Sequence, residues 1–110
     1  MAAECYRYGV QMDEEKLADK LRSIGKAAFV NHYYLFKDFA SNKIGRKSAV
    51  KSLVDQGVSN EAGAWWRLGS AKTIFDEKAN CAALMMIRES HRLTDDIIQA
   101  AKKILKADCQ

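Results

Sequence analysis

Apolar residues recur along this chain at intervals of three and four from Leu17 to Leu105, and glycines and capping residues, not prolines, separate the stretches that carry them. Such spacing puts one apolar stripe on a helix. Leu17, Leu21 and Ile24 define a first helix capped by Asp13, with Glu14 and Glu15 at the positive end of its dipole and Met12 placed to staple against Leu17. Gly25 can supply the left-handed residue that ends it. Lys26 to Ala40 then predicts one continuous second helix, with Phe29, Tyr33, Phe36 and Ala40 on a face flanked by Val30, Leu35 and Phe39. Ser41 to Lys47 reads as a basic loop. Ser48 is the expected cap of a short third helix, Ala49 to Gln56, which turns Val50, Leu53 and Val54 inward and Lys47 and Lys51 outward before Gly57 closes it.

Ser59 is the expected cap of the helix that bears Trp65 and Trp66. Further on, Cys81 to Ile87 is apolar almost all round, the mark of a buried helix. Thr94 is read as the cap of the last helix, with Asp95 and Asp96 in its first turn, Leu93 and Ile98 as staple, and Lys102, Lys103 and Lys106 toward its negative end. Ile97, Ile98, Ala101, Ile104 and Leu105 form its stripe. Residues 1–12 hold CYRYGV, an alternation with no partner strand, and are read as an N-terminal extension of a single helical domain spanning 13–110. The predicted fold is all-α, a compact bundle of five or six short helices. Its predicted core is Leu17, Leu21, Phe29, Tyr33, Phe36, Leu53, one of the two tryptophans, Leu84, Ile87, Ile97 and Ile104.

Composition changes this picture little: 110 residues, 48% of them hydrophobic and 29% charged, suffice for one core without staples. Charge changes it more. The net +4 is unevenly spread, because residues 20–51 carry eight Lys and Arg against the single Asp38, and four of the cations fall between Lys43 and Lys51 with no acid among them. A local excess of this kind can make a face that attracts anions. The longest apolar run, Cys81 to Ile87, is too short to cross a bilayer and no signal-like segment opens the chain, so neither membrane insertion nor secretion is expected.

Candidate chemistry is sparse. Cys5, Cys81 and Cys109 are odd in number and widely spaced, and are read as reduced thiols of a cytoplasmic protein, with Cys81 in the core. His32 and His91 have no second ligand at a metal-binding offset, and Met85 and Met86 read as core filler, not as a copper or haem site. The acids at Asp13, Glu14 and Glu15 and at Asp95 and Asp96 are accounted for as helix starts. GRKS lacks the glycine that a phosphate loop needs five residues before Gly45, where Ala40 stands. Enzymatic activity, a cofactor, a metal and a small-molecule substrate are accordingly not expected.

Two stretches resemble helix-turn-helix motifs. Gly57, Val58 and Ser59 resemble the turn of many bacterial repressors, which implies Ala49 to Gln56 as leading helix and Asn60 to Gly69 as recognition helix. Leu53, Gly63, Trp65 and Trp66 depart from that pattern. Leu68, Gly69 and the Thr73–Ile74 pair resemble the transposase and resolvase type, which implies a turn at Gly69–Ser70 and a reading helix from Ala71 to Lys78. The first register implies that Lys43, Arg46, Lys47 and Lys51 hold phosphates while Asn60 or Arg67 reaches bases. Neighbouring tryptophans point about 100° apart on a helix, so one of the pair is expected outside the core. An exposed Trp near Arg67 is also the composition of a protein-interface hot spot. The chain is therefore read as a small non-enzymatic binding module, for nucleic acid through residues 43–67. The alternative is a protein-interaction or regulatory module that forms a homodimer or docks a protein partner through Trp65 and Trp66.

Overall fold

In the computed structural model, which describes residues 13–109, the chain passes through seven α-helices and, among the described residues, no strand: α1 (Glu14–Ile24), α2 (Lys26–Asn31), α3 (Tyr33–Ala40), α4 (Arg46–Asp55), α5 (Glu61–Asp76), α6 (Asn80–Arg88) and α7 (Asp95–Asp108). The all-α bundle matches the reading from periodicity. CYRYGV and Cys5 lie outside the described residues.

The first helix forms as its signals predict. The Asp13 carboxylate accepts from the Lys16 N–H at 2.8 Å, and Leu17, Leu21 and Ile24 are buried. Gly25, at φ +93°, donates its N–H to the Leu21 carbonyl and turns the chain. The predicted second helix is interrupted. His32 leaves helical geometry at φ −120° and ψ 24°, dividing Lys26 to Ala40 into α2 and α3 and raising the helix count to seven. Asn31 and His32 are adjacent weak helix formers. The ladder survives the bend, since the His32 N–H reaches the Ala28 carbonyl and the Phe36 N–H reaches that of His32, both at 3.0 Å.

Two caps move from their predicted places. The third predicted helix begins at Arg46, three residues before Ala49, with Gly45 as its N-cap residue and no capping side chain, so Ser48 lies inside the helix. The loop before it is closed by Asn42, at φ 64°, and by the Lys43 N–H on the Asp38 carbonyl at 2.8 Å. Arg46 and Lys47 are thus held on a helix and not in a loop. At the start of α5 it is Asn60, and not Ser59, that caps: its Oδ1 accepts from the Gly63 N–H at 2.8 Å. Thr94 is the N-cap residue of α7, but its side chain makes no capping bond.

The fifth helix is the axis of the fold, packing against α1, α3, α4 and α6, while α7 packs against α6 and α2. Ala64, Leu68, Ala71 and Ile74 form its inward stripe, and all four are fully buried. Positions 65 and 66 lie about 100° and 200° around the helix from position 64, off that stripe. Neither tryptophan joins the core: Trp65 is 44% exposed and Trp66 is 70% exposed. The remaining predicted core residues are buried, apart from Ile97, which packs partly buried at its edge.

The reduced-thiol reading is overturned for Cys81 and Cys109. Cys81, in the first turn of α6, is disulfide-bonded to Cys109, just past α7, with Cα atoms 5.9 Å apart; both cysteines are half-buried, so Cys81 is not in the core, and it is Cys109 that packs against it. Their separation of 28 residues hid the pairing, because only the antiparallel return of α7 along α6 brings the two ends together. Beside the disulfide, the buried Tyr33 donates its hydroxyl to Asp108 at 2.6 Å and accepts from the Asn80 amide at 2.9 Å, and Lys37 pairs with the other Asp108 oxygen at 2.6 Å.

Candidate functional site

The fold gathers the exposed tryptophans and part of the basic segment onto one face. The fourth helix lies against α5, and its first residue, Arg46, sets its guanidinium 4.5 Å from the centre of the Trp65 ring and 5.3 Å from that of Phe39. Stacking of this kind orders a long cation without neutralising it. Among the described residues, Arg46 has no carboxylate within 4.0 Å, so its charge is not neutralised by an ion pair.

Trp65 forms a ridge between two grooves. On one side a groove of about 310 Å³ is lined by Lys20, Arg46, Trp65, Trp66, Gly69 and Ser70. Its ionisable members are both cations. On the other side a groove of about 390 Å³ contains Lys47, Lys51, Asp55 and Glu61 around an apolar floor of Val50, Val54 and Trp65. Two acids there offset two lysines, and Lys51 is paired with Asp55 at 2.8 Å. That hydrogen bond and the carboxylate charge raise the Lys51 pKa above its ordinary value.

The sequence-predicted site residues therefore separate into groups. Arg46, Trp65 and Trp66 come together at the first groove, and Lys47 and Lys51 line the second. Lys43 is exposed in the loop before α4 and lines neither. Asn60 is engaged as the α5 cap. Arg67 is engaged as well: its Nε donates to the Ile24 carbonyl at 3.2 Å, which satisfies the end of α1. Gly63 makes room for this arrangement, since a Cβ there would stand 2.8 Å from Arg67 Nη1.

These placements bear on the two motif resemblances. A turn at Gly69–Ser70 does not exist, because α5 runs unbroken from Glu61 to Asp76. At the other register two helices do flank a turn, with Gly57 at φ +76°. There the two proposed base-reading side chains, Asn60 and Arg67, are tied into the fold.

Sequence reasoning missed three contributors. Lys20 comes from α1, 45 residues before Trp65, and arrives only because α1 packs on α5. Phe39 supplies the second ring under Arg46. Gly69, read as a turn, is helical and lines the groove. The charge excess over residues 20–51 was the one available signal, and it includes Lys20 without singling it out from the other seven cations.

Larger grooves of about 830 Å³ and about 520 Å³ lie elsewhere, the first with Glu14, Glu15 and Glu89 in its wall and the second with Asp13, Asp19 and Glu77, so neither shares the all-cationic lining beside Trp66. Among the described residues no group of three His, Cys, Asp or Glu is placed to hold a metal ion, and no helix is long and apolar enough to cross a membrane. His32 sits partly buried at the α2–α3 bend, where burial lowers its pKa from the ordinary 6.5. No family model, curated protein or solved structure matches the chain.

Proposed function

We propose that the Trp65–Trp66 face is a non-enzymatic binding surface for single-stranded nucleic acid. The observation that carries this reading is the juxtaposition of Arg46, stacked on Trp65, with an adjacent indole that is 70% exposed, in a groove whose charged residues are all cationic. Exposed indoles beside ordered cations suit unpaired bases, because every base presents a flat face to stack and a phosphate to neutralise. Duplex reading would instead ask for side chains free to reach base edges, and Asn60 and Arg67 are held elsewhere.

The two indoles are the only tryptophans in the chain, so tryptophan fluorescence, excited where tyrosine does not absorb, reports on this face alone. Titration at low salt with a single-stranded oligonucleotide of about 12 residues is expected to quench that fluorescence, a length within the site sizes of single-strand binders. The affinity should fall with salt at a log–log slope of roughly −0.7 for each phosphate neutralised. Replacing Lys20, Arg46 and Lys47 by Ala should flatten that slope. Absence of any binding at low salt to DNA or RNA strands overturns the reading.

A second reading is favoured by the other groove, where exposed Val54 and Trp65 present apolar surface framed by charges of both signs. That pattern suits a protein interface, including a homodimer. Sedimentation over a range of concentrations tests the dimer: a mass that rises with concentration and returns to the monomer in Trp65→Ala supports it, and a monomer throughout removes it.

A further inference from the structure

Resting on the single-strand reading, we infer that Gly69 is a specificity-determining residue, its missing side chain leaving a slot in which one unpaired nucleobase lies against Trp66 while its phosphate meets Lys20 and Arg46. The fold places no demand for glycine at position 69. Gly69 lies inside the 16-residue α5, where glycine is the poorest helix former after proline. Its φ is not in the left-handed region, and a Cβ built on it would have nothing within 4 Å. Neither backbone conformation nor packing therefore requires glycine here.

The same helix supplies a control. At Gly63 a Cβ would fall 2.8 Å from Arg67 Nη1 and 3.1 Å from Asn60 Oδ1, so a side chain there would have to displace the Arg67 guanidinium and press on the cap. No comparable contact accounts for Gly69. What Gly69 does share is a surface with the site: it is four residues after Trp65 and three after Trp66, and with both it lines the groove that contains Lys20 and Arg46. Residues at these offsets are surface neighbours on a helix, and a helical side chain leans back over the preceding turn. Any side chain at position 69 would thus lie over the space beside the two indoles.

The groove's chemistry selects the occupant. Arg46 already covers one face of Trp65 at 4.5 Å, whereas among the described residues no ring or cation stacks on Trp66. The flat surface left open is that of Trp66. Lys20 and Arg46 add two positive charges and the groove lining adds no acid, so the occupant pairs a planar ring with an anion. A nucleotide unit of a single strand has both. The neighbouring groove, with Asp55 and Glu61 in its wall, lacks this preference.

The test compares the full chain with Gly69→Ala and Gly69→Leu, using an oligodeoxythymidylate of about 12 residues, fluorescence titration at two salt concentrations and a thermal melt. Gly69→Ala is expected to melt at or above the wild-type temperature and to bind more weakly. Gly69→Leu should lose about tenfold or more in affinity, the scale of one stacked base, with an unchanged salt slope. If the wild type binds and both variants bind equally well, the slot is overturned and the single-strand reading stands. If the wild type does not bind, that reading fails and the slot fails with it. Should Gly69→Leu not fold, Gly69→Ala decides: weaker binding with an intact melt supports the slot, and unchanged binding overturns it.

Discussion

Tyr33, Lys37, Asn80 and Asp108 close on one another beside the Cys81–Cys109 disulfide, while Arg46, Trp65 and Trp66 meet no comparable set of partners. Both places combine aromatic rings, cations and polar groups. They differ in where the interactions end. In the clamp the buried hydroxyl of Tyr33 finds both an acceptor and a donor, and the Asp108 carboxylate takes Tyr33 on one oxygen and Lys37 on the other. On the Trp face the stack stops at a half-buried cation without an ion pair and an indole that is largely exposed. The difference teaches how to separate structural from binding residues of like composition: a satisfied network stabilises, whereas ordered but unsatisfied groups are available to a ligand.

Experiments can break this comparison by showing that either place does the other's work. Loss of the disulfide should have the largest effect. Replacing Cys81 and Cys109 by Ser removes a cross-link closing a loop of 28 residues' separation, which the chain-entropy account puts at ~3.6 kcal/mol of stability. Urea unfolding, or melts with and without reductant, measures it. Oligonucleotide binding below the melt should be unchanged, and a parallel loss of binding would mean that the clamp shapes the Trp face.

Next comes Tyr33→Phe, which keeps the ring in the core but leaves Asp108 and Asn80 each short of a partner. A cost of about 1–3 kcal/mol is expected for groups left without hydrogen bonds. Chemical denaturation of this variant and of Trp66→Ala, side by side, sharpens the contrast.

The clamp should also show in the pH dependence of stability. Burial, followed by the hydrogen bond to Asp108, pushes the Tyr33 hydroxyl far above its ordinary 10.0. Its stabilisation is therefore complete below that value and is lost as pH climbs past it. For Asp108, burial alone would raise the carboxyl, but the hydrogen bonds from Lys37 and Tyr33 outweigh it and hold the group below the ordinary 3.8. Its contribution is present above 3.8 and is lost as pH falls through the folded value. Melting temperature against pH should decline at both extremes. Tyr33→Phe should flatten the alkaline limb and Asp108→Asn the acid limb.

The smallest expected effect on the fold is that of Trp66→Ala, within about 0.5 kcal/mol, as for an exposed position away from caps and core. Its effect on oligonucleotide affinity should nonetheless be among the largest on this face, about 1–3 kcal/mol for a lost stacking platform. A destabilisation of several kcal/mol would make Trp66 structural and erase the contrast.

How far each feature could be read in advance follows the range of the interaction behind it. Asp13, Gly25 and Gly57 act within one helical turn, and each does what its neighbours in the chain predict. Ser59 and Asn60 are adjacent residues of equal capping ability, and the register of the first turn chose Asn60. The bend at His32 carries no proline or glycine to announce it. At the candidate site, Arg46, Lys47, Lys51 and the two tryptophans were legible as a basic stretch followed by aromatic residues, but not Lys20, Phe39 or the role of Gly69. Asn60 and Arg67 were assigned to a ligand because their partners, Gly63 and the distant Ile24 carbonyl, are contacts of the folded chain.

By itself, then, the amino-acid order determined an all-α chain, most of its helices and nearly all of its core, because apolar spacing and caps act over three or four residues. The tertiary structure alone decided that Cys81 meets Cys109, that Lys37 and Tyr33 share Asp108, and that both tryptophans stay outside the core beside Arg46. Those outcomes depend on which helix packs against which, and on the inward face of α5 being filled by Ala64, Leu68, Ala71 and Ile74, which leaves its tryptophans on the outward side.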